Sequence, residues 1–185
     1  MLYSGEIKTP LGSMVAAATD AGLCLLEFAD RRELAEELRH LQKKLGVAIR
    51  ERPGHAVLIQ IRDELRAYFA GGRRSFRTPI REPLIGTEFQ RSIWNALRKI
   101  PRGETRSYLQ LAESIGNVRA VRAVGAANGA NRMAIIFPCH RVIGSDGGLT
   151  GYAGGLERKR RLLELEGFAI ERSQVRDGRQ SAFDF

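Results

Sequence analysis

The chain has 185 residues, 43% of them hydrophobic, and a formal net charge of +9, enough for one large domain or two small ones with real cores. No apolar run approaches the roughly 18 residues that span a bilayer, and the N-terminus lacks the basic, apolar and small-residue regions of a secretory signal, so a soluble, cytoplasmic protein is expected. Two cysteines and three histidines are too few for a disulfide framework and offer no metal-ligand spacing, so reduced thiols and no structural metal are expected.

Residues 3–8, 13–19 and 22–28 read as three strands of an antiparallel meander, turned at Pro10-Leu11-Gly12 and Asp20-Ala21-Gly22. Cys24, between Leu23 and Leu25, reads as a buried strand residue. Residues 31–45 then carry leucines 34, 38, 41 and 45 at helical spacing with charges on the opposite face, and Gly46 closes the helix. A short strand at 47–50 and a second helix at 55–69, stopped by Gly71-Gly72, complete an α+β unit for which an antiparallel sheet is expected. His40 and His55 lie on polar stretches and read as exposed.

Residues 77–86 contain two prolines and a glycine without periodicity, which fits a linker. The expected organisation is therefore an N-terminal α+β domain (1–76), a linker (77–86), a mainly helical C-terminal domain (87–170) and a mobile tail (171–185). Thr87-Glu88-Phe89-Gln90 has the form of a capping box, and Phe89, Ile93, Trp94, Leu97 and Ile100 mark the apolar face of the helix it opens. Ser107-Tyr108-Leu109-Gln110 is a second such box, opening a short helix at 108–115 that Gly116-Asn117 breaks. A third helix follows at 118–128, and the pair has helix-turn-helix, winged-helix-like spacing. Ala120, Ala123, Gly125, Ala126 and Ala127 make the second helix slim, with Arg119 and Arg122 projecting. Such a helix either approaches a duplex closely, even in the narrow minor groove, or packs against another helix.

The segment Ile135-Ile136-Phe137-Pro138-Cys139-His140-Arg141-Val142-Ile143 sets a thiol, an imidazole and a guanidinium inside an apolar run. A thiol attacks as thiolate, so its pKa of about 8.5 must fall, and His140 and Arg141 are the neighbours able to lower it. The alternative is that Cys139 is a small buried hydrophobe. Residues 144–155 form a glycine-rich loop able to approach a ligand closely. A last helix at 156–166 carries Arg158-Lys159-Arg160-Arg161 and ends at Gly167. Charge is uneven: residues 84–170 hold 13 Lys/Arg against 7 Asp/Glu, whereas residues 1–83 hold 14 against 11. The surplus beside the cysteine suggests a polyanionic partner.

Pro138-Cys139-His140-Arg141-Val142 resembles the active-site signature of the O6-alkylguanine-DNA alkyltransferases. The likeness extends from Thr87 to Gly167 through Ile100-Pro101-Arg102-Gly103-Glu104-Thr105, Ser107-Tyr108, Ala120 to Gly125, Asn131, Gly151-Tyr152 and Leu162-Leu163 to Glu166-Gly167. It implies repair of duplex DNA by irreversible transfer of an alkyl group to Cys139, once per molecule, by a monomer without metal or cofactor. It further implies His140 as base acting through a water, Glu166 as the carboxylate orienting it, Asn131 as support for the relay, and Tyr108 as proton donor to the leaving guanine. Arg122 would fill the gap left by a nucleotide turned out through the minor groove, and Tyr152 and Ala153 would line its pocket. Ala153 stands where some relatives have a serine, which leaves only the backbone N–H there. A damage-binding relative that lacks the cysteine, a cysteine hydrolase and a plain helix-turn-helix regulator are the competing readings. The first does not fit a chain that keeps Cys139, and the last leaves residues 138–141 unexplained.

Overall fold

The computed structural model describes residues 1–72, 75–81 and 86–176. It comprises two compact units: Met1–Thr87 together with Arg132–Ile136, and Glu88–Asn131 together with the chain from Phe137 onward. The first contains the sheet and the second is mainly helical, an α+β organisation overall.

In the first unit, β1 (Leu2–Thr9), β2 (Gly12–Thr19) and β3 (Gly22–Phe28) form the meander, with Thr9 opposite Gly12 and Thr19 opposite Gly22. Helix α1 (Leu34–Leu45) returns the chain, so β4 (Ile49–Glu51) runs parallel to β1 and the sheet order is β3-β2-β1-β4. The sheet is thus mixed, not wholly antiparallel as expected: a helical return brings the next strand in pointing the same way. Gly46 ends α1 in the left-handed region (φ 64°), and α2 (Ala56–Phe69) buries Val57, Leu58, Ile61 and Leu65. Every residue of β3 is buried, and Cys24 has no exposed surface. His55 is also buried, against expectation, stacked on Tyr3 at 4.6 Å with Nε2 3.0 Å from Asp20 Oδ1.

An exposed sheet edge invites foreign pairing, and here the chain covers β3 with two later segments. Leu23 N donates to Pro79 O at 2.8 Å, and Leu26 exchanges bonds with Arg132 O (2.9 Å) and Ala134 N (2.8 Å). At Gly22 (φ 136°) a Cβ would stand 2.6 Å from Pro79 O, so only glycine fits. Glu64 fixes the segment after α2 by accepting from Arg77 N, Thr78 N and Thr78 Oγ1 at 2.9–3.2 Å. Of the expected linker, residues 82–85 lie outside the described residues. Residues 132–136, read from sequence as part of the C-terminal domain, belong to this sheet unit. Ile135 there takes φ 72°, a conformation costing a β-branched residue roughly 1–3 kcal/mol, so it persists only where its surroundings enforce it.

In the second unit, α3 (Glu88–Arg98) buries Ile93, Trp94 and Leu97, each contributing roughly 1.5–3 kcal/mol on full burial. The Trp94 indole N–H donates to Ala127 O at 2.9 Å. A two-residue strand, β5 (Arg106–Ser107), leads into α4 (Tyr108–Ser114), and the chain then passes through one 3-10 turn at Val118–Ala120 into α5 (Val121–Gly129). The expected helix start at 118 is a 3-10 turn, closed by Ala120 N donating to Asn117 O at 3.0 Å, and the α-helix itself begins at Val121. β6 (Val142–Ile143) pairs in parallel with β5, tying the start of α4 to the strand leaving the Cys-His-Arg segment. Helix α6 (Leu156–Leu165) and a hairpin of β7 (Ala169–Glu171) and β8 (Gln174–Arg176) follow. The tail expected to be mobile from residue 171 thus begins in regular structure, because Val175 and Ile170 bury apolar surface there; residues 177–185 lie outside the described residues.

Candidate active site

Cys139 opens a single 3-10 turn, Cys139–Arg141, after Pro138, with 6% of its surface exposed. Asn131 reaches it from the end of the helix-turn-helix: Nδ2 donates to Cys139 Sγ at 3.0 Å and to Phe137 O at 2.8 Å. A donor aimed at sulfur stabilises thiolate relative to thiol. Asn128, on α5, is also buried and directs Nδ2 at Cys139 O, 3.4 Å away.

His140 is fully buried, with Nε2 3.0 Å from Glu166 Oε1. Arg141 grips the same carboxylate in two-pronged fashion, Nε to Oε2 and Nη2 to Oε1, both 2.7 Å, and Nη1 donates to Ile100 O at 2.5 Å. Burial alone would raise the Glu166 pKa, but the imidazole and the guanidinium outweigh it and hold the carboxyl well below the usual carboxylate range. Burial pushes the His140 imidazole down, and the Glu166 charge only partly offsets this. The consistent state is an ionised Glu166 and a neutral His140 whose Nε2–H donates to it. That tautomer puts the lone pair on Nδ1, which has no hydrogen-bond partner among the described residues. Arg141, expected to act on the thiol, instead neutralises Glu166: its planar fork matches a carboxylate.

Tyr108 is the first residue of α4, whose capping box is complete: Gln110 N donates to Ser107 Oγ at 3.1 Å, and Ser107 N donates to Gln110 Oε1 at 2.8 Å. The phenol donates toward Gly151 O (3.2 Å) and Thr150 O (3.4 Å) in the glycine-rich loop, and burial pushes its pKa up. Gly151 has φ 43°, and a Cβ there would stand 3.3 Å from the Tyr108 hydroxyl, so a side chain would crowd the phenol. Lys159 Nζ donates to Val142 O and Thr150 O, both at 2.5 Å, and lies 5.9 Å from the centre of the Tyr108 ring. Its burial brings the ammonium pKa down to about 8, against the pull of a Cys139 thiolate. Tyr152 is half-buried and Ala153 exposed in the same loop.

The structure therefore brings Cys139, His140, Glu166, Asn131 and Tyr108 into one unit. On the second helix Arg119, Arg122 and Ala123 are exposed and Ala120 half-buried. Ala127 departs from its expected place on the outer face: it is 2% exposed, with its carbonyl on Trp94. Gly125 faces the Tyr108 ring, 3.9 Å from where its Cβ would be. Lys159 was hidden in a basic run, although it falls three residues before Leu162 on the buried stripe of α6, which was the available signal. Asn128 carried no signal in sequence.

Two family models match: residues 88–168 match the DNA binding domain of 6-O-methylguanine DNA methyltransferase, and residues 2–81 its ribonuclease-like domain. Residues 169–176 lie past both. A methylated-DNA-protein-cysteine methyltransferase of Methanosarcina acetivorans is 43% identical over 166 residues, covering 90% of this chain and 99% of that protein. One of Salmonella typhimurium is 42% identical over 173 residues, covering 91% and 98%. Among solved structures, Mycobacterium tuberculosis OGT in complex with DNA superposes with a TM-score of 0.77 at 42% identity, covering 89% of this chain and 92% of that one.

Proposed function

The chain belongs to the 6-O-methylguanine DNA methyltransferase family, and from that premise we propose how its own residues carry out the repair of methylated DNA by transfer to a protein cysteine. Cys139 is the acceptor. The observation that carries this is the pairing of Asn131 Nδ2 with Cys139 Sγ beside a histidine whose tautomer Glu166 and Arg141 fix.

An alkyl group on guanine O6 lies inside the duplex, so the nucleotide is turned out into a pocket bounded by Tyr108 and the 144–155 loop, and exposed Arg122 takes its place in the stack. His140 Nδ1 takes the thiol proton through a water. The thiolate attacks the alkyl carbon in line, the S–C bond forms and the C–O6 bond breaks. The electron pair stays with the base, which takes the Tyr108 phenol proton as guanine leaves. The proton on His140 then returns to the phenolate. A thioether is not hydrolysed, so each molecule reacts once. Asn131 holds the sulfur toward the carbon, and Lys159 places a positive charge beside thiolate and phenolate.

The test separates chemistry from binding. Cys139→Ala abolishes transfer from a duplex carrying O6-methylguanine while gel-shift affinity for that duplex persists. Arg122→Ala weakens lesion binding and slows transfer from duplex, yet leaves Cys139 reactive toward a free O6-alkylguanine base. Transfer by the Cys139→Ala protein would remove the assignment.

A further inference from the structure

The hairpin at the end of the described chain has no part in the steps above, yet it is built onto the substrate loop. Its inner edge is β7, with Ile170 opposite Val175. Its outer edge is bridged by residues 147–149: Val175 N donates to Gly147 O at 3.0 Å, Leu149 N donates to Ser173 O at 2.8 Å, and Gly148 pairs antiparallel with Gln174. Side chains make the same connection. Leu149 from the loop and Val175 from the hairpin pack on a buried cluster of Ile143, Leu163, Phe168 and Ile170. Ile143 lies in β6, which leaves the Cys139 turn, and Leu163 lies on α6 between Lys159 and Glu166. Directly after Leu149 come Thr150 and Gly151, whose carbonyls receive the Tyr108 hydroxyl and the Lys159 ammonium.

Residues 144–155 include six glycines in twelve residues. Glycine loses more backbone entropy on ordering than any other residue, so this segment, unless it is held beforehand, must be ordered at that cost at the moment the base enters. We infer that the β7–β8 hairpin is a positioning element for alkyl transfer, which holds residues 147–149 through this backbone bridge and so presets the Thr150 and Gly151 carbonyls, the Tyr108 hydroxyl and the mouth of the base pocket. Val175 is its central positioning residue, with its amide on the loop backbone and its side chain on the cluster beneath. The inference rests on the reading of the chain as an alkyltransferase. Arg119 and Arg122 are remote from the hairpin in sequence and role, so the effect falls on the transfer step and not on grip of undamaged DNA.

The experiment uses the full chain, a truncation after Phe168, a truncation after Arg176, and Val175→Asp and Val175→Ile in the full chain. Each is checked for folding by circular dichroism. Affinity for unmodified duplex is measured, and single-turnover transfer from O6-methylguanine duplex is resolved into apparent binding and maximal rate. The truncation after Phe168 and Val175→Asp lower the maximal rate by about tenfold or more, the scale expected when a reacting group is misplaced, with unmodified-duplex affinity unchanged. The truncation after Arg176 and Val175→Ile match the full chain. Val175→Ala, which introduces no charge, replaces Val175→Asp should the latter not fold. Folded Val175 and Phe168 variants with full maximal rate, or a loss confined to duplex affinity, overturn the inference. A full chain that transfers nothing overturns the alkyltransferase reading instead.

Discussion

Glu166 is the residue on which the site turns, because one buried carboxylate holds both His140 and Arg141. Glu166→Gln leaves Arg141 buried without its counter-charge, which costs roughly 3–5 kcal/mol, and leaves one acceptor oxygen where His140 and Arg141 use two. Transfer should fall by about 10²-fold, the lower range for a positioned base, as read by single-turnover assay on protein still folded at low temperature. The sign of its pH dependence follows from its depressed pKa. A carboxyl lowered on folding contributes stability above its unfolded value, about 4.3, and that stability is lost as pH falls toward the folded value. Thermal melts between pH 6 and 3 should therefore drop more steeply for the native chain than for Glu166→Gln. His140, lowered by burial, stays in its base form below the ordinary histidine value of about 6.5. From pH 7.5 to pH 6 the transfer rate should therefore fall less than it would with an unperturbed imidazole, which is mostly protonated at pH 6. At this scale Cys139 and His140 stood out as polar side chains inside an apolar run, and Tyr108 and Asn131 were singled out through the family resemblance. Arg141's true partner and Asn128 were not, because which atoms meet depends on the fold of residues far apart in the chain.

At the scale of elements, the Ser107 capping box and the leucine spacing of α1 were readable because their interactions lie within one helical turn. The β7–β8 hairpin was not, and the reason is its turn. Arg172 and Ser173 sit at φ 47° and 64°, the pattern of a type I′ turn that asparagine and glycine normally occupy. Left-handed backbone costs an ordinary residue roughly 1–2 kcal/mol, so Arg172→Asn combined with Ser173→Gly should raise the melting temperature measurably without changing transfer. Helix α5 allows a contrast between faces. Ala127→Leu overpacks a buried position against α3 and should cost roughly 1–3 kcal/mol. Ala123→Glu, on the exposed face, should stay within about 0.5 kcal/mol in stability while weakening duplex binding. Residues 132–136 show the other limit of sequence reading, since a strand-like segment pairing with Leu26 across more than a hundred residues leaves no local trace.

For the whole molecule, a net charge of +9 concentrated around the cysteine half makes the affinity for undamaged duplex fall steeply with salt, because each phosphate contact releases condensed counterions. Removing Arg119, exposed beside α5, should reduce the slope of log K against log salt by about one if it meets a phosphate, measurable by fluorescence anisotropy between low and physiological salt. The central claim, that Cys139 is the single irreversible acceptor, has an internal control. Cys24 is fully buried in β3, its thiol pushed up by burial, and it should not react. The most direct measurement is intact-protein mass spectrometry after incubation with excess duplex containing one O6-methylguanine, followed by peptide mapping. The account predicts a gain of one methyl group per molecule, saturating there, on the peptide that contains Cys139. Methyl on Cys24, gain beyond one group per molecule, or lesion binding without any gain would contradict it.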